Sequence, residues 1–127
     1  MATINPTRVA INGAYGSGID DSVIKVVWSP VTENDTCAAI ALPAFSDKSV
    51  HFYGTFGGAT VVLKGSNNAG ATYVGLKDPS STAISATSEK INAVLENTEL
   101  VQPVASGGSG QSLSIALVCR LSNPLRN

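Results

Sequence analysis

Histidine occurs once and cysteine twice in this 127-residue chain, so it is poor in the side chains from which most metal centres and catalytic dyads are built. His51 with Cys37 and Cys119, far apart in sequence, matches no common zinc-ligand spacing. Charge is scarce as well. Charged residues make up 13% of the chain, about half the ~25% usual for soluble domains. Eight Lys and Arg against nine Asp and Glu leave a formal net charge of −1, without the basic excess that grips nucleic acid. No apolar run nears the ~18 residues of a membrane span, and residues 1–8 lack the basic-then-apolar order of a signal peptide. The expectation is a chain made and used in a cytoplasm, or released from one by lysis, with no nucleic-acid or membrane partner and both thiols reduced.

What the chain has is short apolar runs and turn formers: 43% hydrophobic residues and 12 Gly. Its length suits one domain that needs neither metal nor disulfide to fold. Residues 22–28 form a β-branched run with Ser29-Pro30 as its stop. Residues 37–42 form an apolar run closed by Pro43. In residues 49–56, Val50, Phe52 and Phe56 share one face while His51, Tyr53 and Thr55 share the other. Gly57-Gly58 and the Ser66–Gly70 turn link this run to residues 59–64 and 72–76, which together read as a meander. A helix competes only over residues 83–96, where two strands around a turn near Ser88 are the better fit. Residues 99–105 are extended, and Ser106–Gly110 reads as a hairpin loop into the cleanest strand, residues 112–120, with Leu113, Ile115, Leu117 and Cys119 on one face.

Seven to nine short strands and no long helix predict an all-β fold, an antiparallel two-sheet sandwich of jelly-roll type. Phe52, Phe56, Val62, Leu113, Ile115 and Leu117 are the expected core. The domain plan is an N-terminal arm over residues 1–21, the sandwich over 22–120 and a C-terminal tail over 121–127.

Searching the chain for chemistry yields little. His51 lies mid-strand on the more polar face, with no nucleophile or carboxylate supplied locally. Asp20-Asp21 and Glu33-x-Asp35 sit in turns and lack the alternating acidic pattern of a calcium loop. Residues 65–72 have the glycine spacing of a phosphate loop but carry Ala71 where its lysine belongs, and a strand follows instead of a helix. Trp28, Tyr53 and Tyr73 invite comparison with a stacking platform; core Trp and rim Tyr explain them as well. No catalytic residue, metal ligand or cofactor is expected.

A family resemblance rests on the order Gly54-Thr-Phe-Gly-Gly-Ala-Thr-Val61, Lys64-Gly-Ser-Asn67, Leu95-Glu-Asn97, Val101-Gln-Pro-Val104 with Gly107-Gly108, and Leu113-Ser-Ile-Ala-Leu117. In these segments the chain resembles a family of short virion proteins of tailed bacteriophages and prophages. The resemblance covers a little over half the chain and lies in turn and strand residues. It implies a small sandwich that decorates the capsid exterior, a cement protein bridging subunits of the major capsid protein and contacting other copies of itself, with no enzymatic activity. The competing class is a host-receptor or carbohydrate-binding module of a phage fibre.

In the arm, Pro6, Gly13, Gly16 and Gly18 break any period, so it cannot offset its ordering entropy alone. The candidate partner contacts are therefore Ile4, Arg8, Val9, Ile11, Tyr15 and Ile19 in the arm, joined by Leu121 and Leu125 in the tail.

Overall fold

The computed structural model describes residues 2–10, 23–43 and 45–121. These form strands β1 (Thr3–Ile4), β2 (Thr7–Ala10), β3 (Val23–Val31), β4 (Thr36–Cys37), β5 (Ile40–Ala41), β6 (Phe45–Thr55), β7 (Thr60–Ser66), β8 (Val74–Gly75), β9 (Ser85–Ala86), β10 (Lys90–Val94), β11 (Leu100–Ser106) and β12 (Ser112–Leu121). No helix occurs among the described residues. Sheet I has the order β10-β6-β12-β3-β2, and sheet II the order β5-β11-β7-β8, with β9 also on β7. All pairings within the two sheets are antiparallel, and a separate parallel pair joins β1 to β4. Because the chain passes repeatedly from one sheet to the other between β3 and β12, the two sheets have jelly-roll order.

The strand total exceeds the expected seven to nine because the predicted 37–42 run divides into β4 and β5 and because the N-terminal segment is itself paired. Thr7–Ala10 lie against Val27–Ile24 as the edge of sheet I. Residues 2–4 are held by Ala2 N–H donating to Asp35 Oδ1 at 3.0 Å and by Ala38 N–H donating to the Ile4 carbonyl at 2.9 Å. The described part of the expected free arm, residues 2–10, is thus built into the sandwich. A bare edge strand needs only backbone partners, so pairing did not require an alternating side-chain pattern, and β2 has none. Residues 11–21 of that arm lie outside the described residues.

β3 also runs past its expected stop. Trp28 stands opposite Ile115 while Val31 stands opposite Leu113, so the β3 side carries one extra residue there. A bulge of this kind accommodates Pro30, which has no N–H to give to the ladder.

The predicted meander needs a second correction. β7 and β8 do pair, but β6 and β7 lie in different sheets. Gly57-Gly58 is an arch between sheets, and so is the Ser106–Gly110 loop that joins β11 to β12. The two arches lock together through Ser109 N–H donating to the Gly57 carbonyl at 3.0 Å. Contact this close requires glycine at Gly57, where φ is +57° and a Cβ would lie 2.3 Å from the Ser109 carbonyl oxygen.

The core fills the space between the sheets. Ile24, Val26, Trp28, Val50, Phe52, Leu113, Ile115 and Leu117 come from sheet I and meet Val61, Leu63 and Val101 of sheet II, all buried. Trp28 donates its indole N–H to the Ala38 carbonyl at 2.7 Å, which satisfies its one polar atom. Of the expected core, Phe52, Leu113, Ile115 and Leu117 are fully buried, whereas Phe56 and Val62 are half-buried. In β7 the inward parity belongs to Val61 and Leu63, and Phe56 sits beyond the end of β6 in the arch.

Cys37 and Cys119 are both free and buried, and burial pushes each thiol up from 9.0 to about 11. A thiol with a raised folded-state pKa stabilises the fold fully below its unfolded value and loses that contribution as pH rises through the folded value. Between pH 9 and 11 each thiol should therefore cost up to about 1.4 kcal/mol per pH unit. We expect alkaline urea titrations to show this loss, and the Cys37→Ala, Cys119→Ala double variant to flatten it. That variant should also lose about 1–3 kcal/mol per site at neutral pH. An unchanged alkaline slope in the variant would contradict the assignment.

Candidate functional site

Strand period fixes what sheet I shows on its outer face. The register sets Thr7, Val27, Ala116, His51 and Ile91 in one row across all five strands, and Val9, Lys25, Val118, Ser49 and Ala93 in the next. Both rows are mostly apolar or small, with Lys25 as their one full charge. Ile91 is 65% exposed and Val9 46%. A shallow depression of about 380 Å³ lies on this face, bounded by Lys25, Ser49, His51, Tyr53, Ile91 and Val118.

His51 and Tyr53 stack on this face with ring centroids 4.7 Å apart and planes at 37°. His51 Nε2 lies 2.9 Å from Glu89 Oε2. The carboxylate that the local sequence did not supply thus arrives from the segment before β10. The pair is solvent-facing, with side-chain exposures of 34% and 70%. No hydroxyl or thiol is hydrogen-bonded to it among the described residues, so the arrangement orients a ring more than it activates a nucleophile.

The structure disperses the remaining sequence candidates. Trp28 is in the core, Tyr53 is on the outer face of sheet I and Tyr73 precedes β8 of sheet II, so the three rings form no common platform. Asp35 spends its carboxylate on local donors: Oδ2 accepts from Thr32 Oγ1 at 2.6 Å and from Thr32 N–H at 2.9 Å, and Oδ1 accepts from Ala2 N–H. The Thr32 hydroxyl, then the Thr32 amide, hold its pKa below the usual carboxylate value. Asp20-Asp21 lies outside the described residues. Among the described residues no group of three or more His, Cys, Asp or Glu is placed to hold a metal ion.

The glycine-spaced segment 65–72 forms a closed turn. Asn68 and Gly70 N–H donate to Ser66 Oγ, Ala69 N–H to Glu99 Oε1, Ala71 N–H to the Asn68 carbonyl and Thr72 N–H to Asn68 Oδ1. Five successive amides therefore have acceptors within the protein. A phosphate loop must leave such amides free.

Two of the eight candidate contact residues are used internally. Ile4 packs against the core, and the Arg8 guanidinium lies over the Phe45 ring at 5.5 Å, a cation–π contact that covers a buried residue. Val9 and Leu121 remain exposed, Leu121 at 39%. Ile11, Tyr15, Ile19 and Leu125 lie outside the described residues.

Sequence reasoning missed Lys48, the one charged side chain buried among the described residues, at 5% exposure. Its ammonium donates to the Phe45 carbonyl at 2.6 Å and to Asn97 Oδ1 at 3.1 Å. Burial lowers its pKa. The signal was present, since Lys48 shares strand parity with Val50 and Phe52.

No family model matches the chain, and no curated protein matches its sequence. Solved structures do match. The SPBc2 prophage-derived protein YomS superposes with a TM-score of 0.58 at 9% identity, over 80% of this chain and 97% of that one. The PBSX exported protein XepA superposes with a TM-score of 0.57 at 17% identity, over 80% of this chain and 39% of that one. The fold is common to all three. At these identities the likeness extends to the fold alone, and the chain spans well under half of XepA.

Proposed function

We propose that this chain is a structural virion protein of a tailed bacteriophage, a cement or decoration protein. In this reading it binds the exterior of the major capsid protein shell, bridges subunits and meets other copies of itself there. The observation that carries the reading is the outer face of sheet I, five strands wide, whose two middle rows hold one full charge, with Val9 and Ile91 projecting from opposite edge strands. Exposed apolar faces of this kind mark protein contact sites, and desolvating one charge in two rows costs little on docking. The sequence resemblance and the fold shared with a prophage-derived protein point the same way.

The test is decoration of empty shells of the major capsid protein encoded in the same genome, read as occupancy by cosedimentation and electron microscopy. The intact chain should bind. A Val9→Glu, Ile91→Glu variant should unfold at the same urea concentration but lose at least tenfold in affinity. Failure of the intact chain to bind defeats the capsid reading, while wild-type occupancy by the variant moves the grip away from sheet I.

A further inference from the structure

A cavity larger than the depression on sheet I lies elsewhere, at the β8 edge of sheet II. It is an open cleft of about 500 Å³ to which the 65–68 turn, the 72–77 segment and residues 96–98 all contribute, within the size range of small-molecule sites. Buried Gly65 and Leu76 close its base. A Cβ at Gly65 would lie 2.5 Å from Thr98 Oγ1 and 2.9 Å from Leu76 Cδ2, so glycine there lets the walls meet.

Three polar side chains around this base are fixed in advance, each by one half of its own group. Asn67 Oδ1 accepts from Glu99 N–H at 2.8 Å, and Asn68 Oδ1 accepts from Thr72 N–H at 3.0 Å and from Ser66 Oγ at 2.8 Å. Each amide is thereby oriented, and its Nδ2 donor has no acceptor among the described residues. Glu96 is held in the same way: Oε1 accepts from Lys77 N–H at 2.8 Å, leaving Oε2 as an acceptor. The residues lining the cleft thus carry two oriented amides, a carboxylate oxygen without a partner, the Lys77 ammonium and the Thr72 hydroxyl around an apolar base. Binding to groups already oriented avoids much of their ordering entropy.

We propose that this cleft binds one neutral monosaccharide unit of a glycan. The charges of Lys77 and Glu96 balance, which disfavours a strongly charged ligand. An anion would also find the amides of residues 68–72 already engaged. Strand addition by a peptide is disfavoured, because Leu76 N–H donates to the Leu63 carbonyl, Ile84 N–H to the Leu76 carbonyl and Leu95 N–H to the Lys77 carbonyl. Beside the cleft, only two-residue β8 leaves an edge among the described residues. Adjacent hydroxyls on a ring with an apolar face match mixed donors and acceptors over Leu76. The proposal holds whether or not the chain decorates a shell, and a decoration protein with such a cleft would present a sugar-binding surface to the host.

The experiment is an amide NMR titration of the intact, isotope-labelled chain with glucose, galactose, mannose and N-acetylglucosamine at millimolar concentration, with inorganic phosphate as the anion control. At least one sugar should shift the Asn68, Thr72 and Lys77 amides with a Kd of roughly 1 mM or tighter. Gly75 lines the cleft, and a Cβ there meets nothing within 4 Å. Gly75→Leu should therefore fold normally, obstruct the cleft and weaken binding at least tenfold. Glu96→Gln keeps the Lys77 contact, exchanges the free acceptor for a donor and should weaken binding about tenfold. The proposal is overturned if no sugar shifts these amides, if sugars shift only the His51–Tyr53 face, if phosphate alone binds, or if folded Gly75→Leu binds as tightly as the parent.

Discussion

Ile115→Asp is expected to leave no folded protein at neutral pH. Ile115 is fully buried at the centre of sheet I, registered against Trp28 on one side and Phe52 on the other. These are the two largest fully buried side chains among the described residues. A carboxylate there must be ionised without a partner or held protonated at the expense of a raised pKa, and either costs several kcal/mol. Native domains have a total stability of only about 5–15 kcal/mol, so far-ultraviolet circular dichroism should show loss of the strand signal. The neighbouring Ser114→Asp places the same charge on the outer face, where Ser114 Oγ lies 2.7 Å from Ser29 Oγ in an exposed pair. That variant should stay within about 1 kcal/mol of the parent. A soluble, cooperatively unfolding Ile115→Asp protein would show that the core is misassigned.

The second large effect is expected at Gly54, which stands opposite Leu113 in the pairing of β6 with β12. Gly54 has φ +109°, and a Cβ there would lie 2.4 Å from the Ser112 carbonyl oxygen. Backbone strain and a collision with backbone coincide, and neither can be relieved by turning a side chain. Gly54→Ala should cost about 3–4 kcal/mol, since the central pairing of sheet I must open to admit one methyl group. Gly107→Ala separates the two causes. Gly107 has φ +71°, but a Cβ added there would meet nothing within 4 Å, so strain alone remains, about 1–2 kcal/mol. Urea midpoints of the two variants should differ accordingly, and equal midpoints would assign the whole effect to φ.

How legible this structure was in sequence depended on the range of the contact concerned. The alternation in Ser112–Leu121 showed Leu113, Ile115 and Leu117 facing inward, and the class of fold followed from the number of such runs. Short glycine turns were ambiguous, because Gly57-Gly58 reads alike as a hairpin or as an arch, and only the partners of β6 and β7 decide. β2 was hidden for a related reason: its pairing with β3 lies in the backbone and leaves its side chains largely exposed. Neither surface argued as functional was readable as a unit. Glu89 reaches His51 across 38 residues, and Glu99 reaches the 65–72 turn from the far side of three intervening strands. Residue type identified Asn67 and Asn68 as turn formers, but the orientation of the Asn67 amide depends on a donor, Glu99 N–H, that only the fold brings to it.

The position of β12 bears on how the protein is made. This strand is the last of the sandwich to leave the ribosome, yet it lies between β6 and β3 and supplies Leu113, Ile115 and Leu117. Until it emerges, β3 and β6 have no common neighbour, and both carry unpaired edges beside apolar side chains. Sheet I therefore closes only after synthesis has passed Leu121, in a slow, non-local step. In that interval the nascent chain exposes the kind of edge that recruits other strands. A nascent chain stalled inside β12 would present the same edges for longer, making it a target for chaperones and proteases.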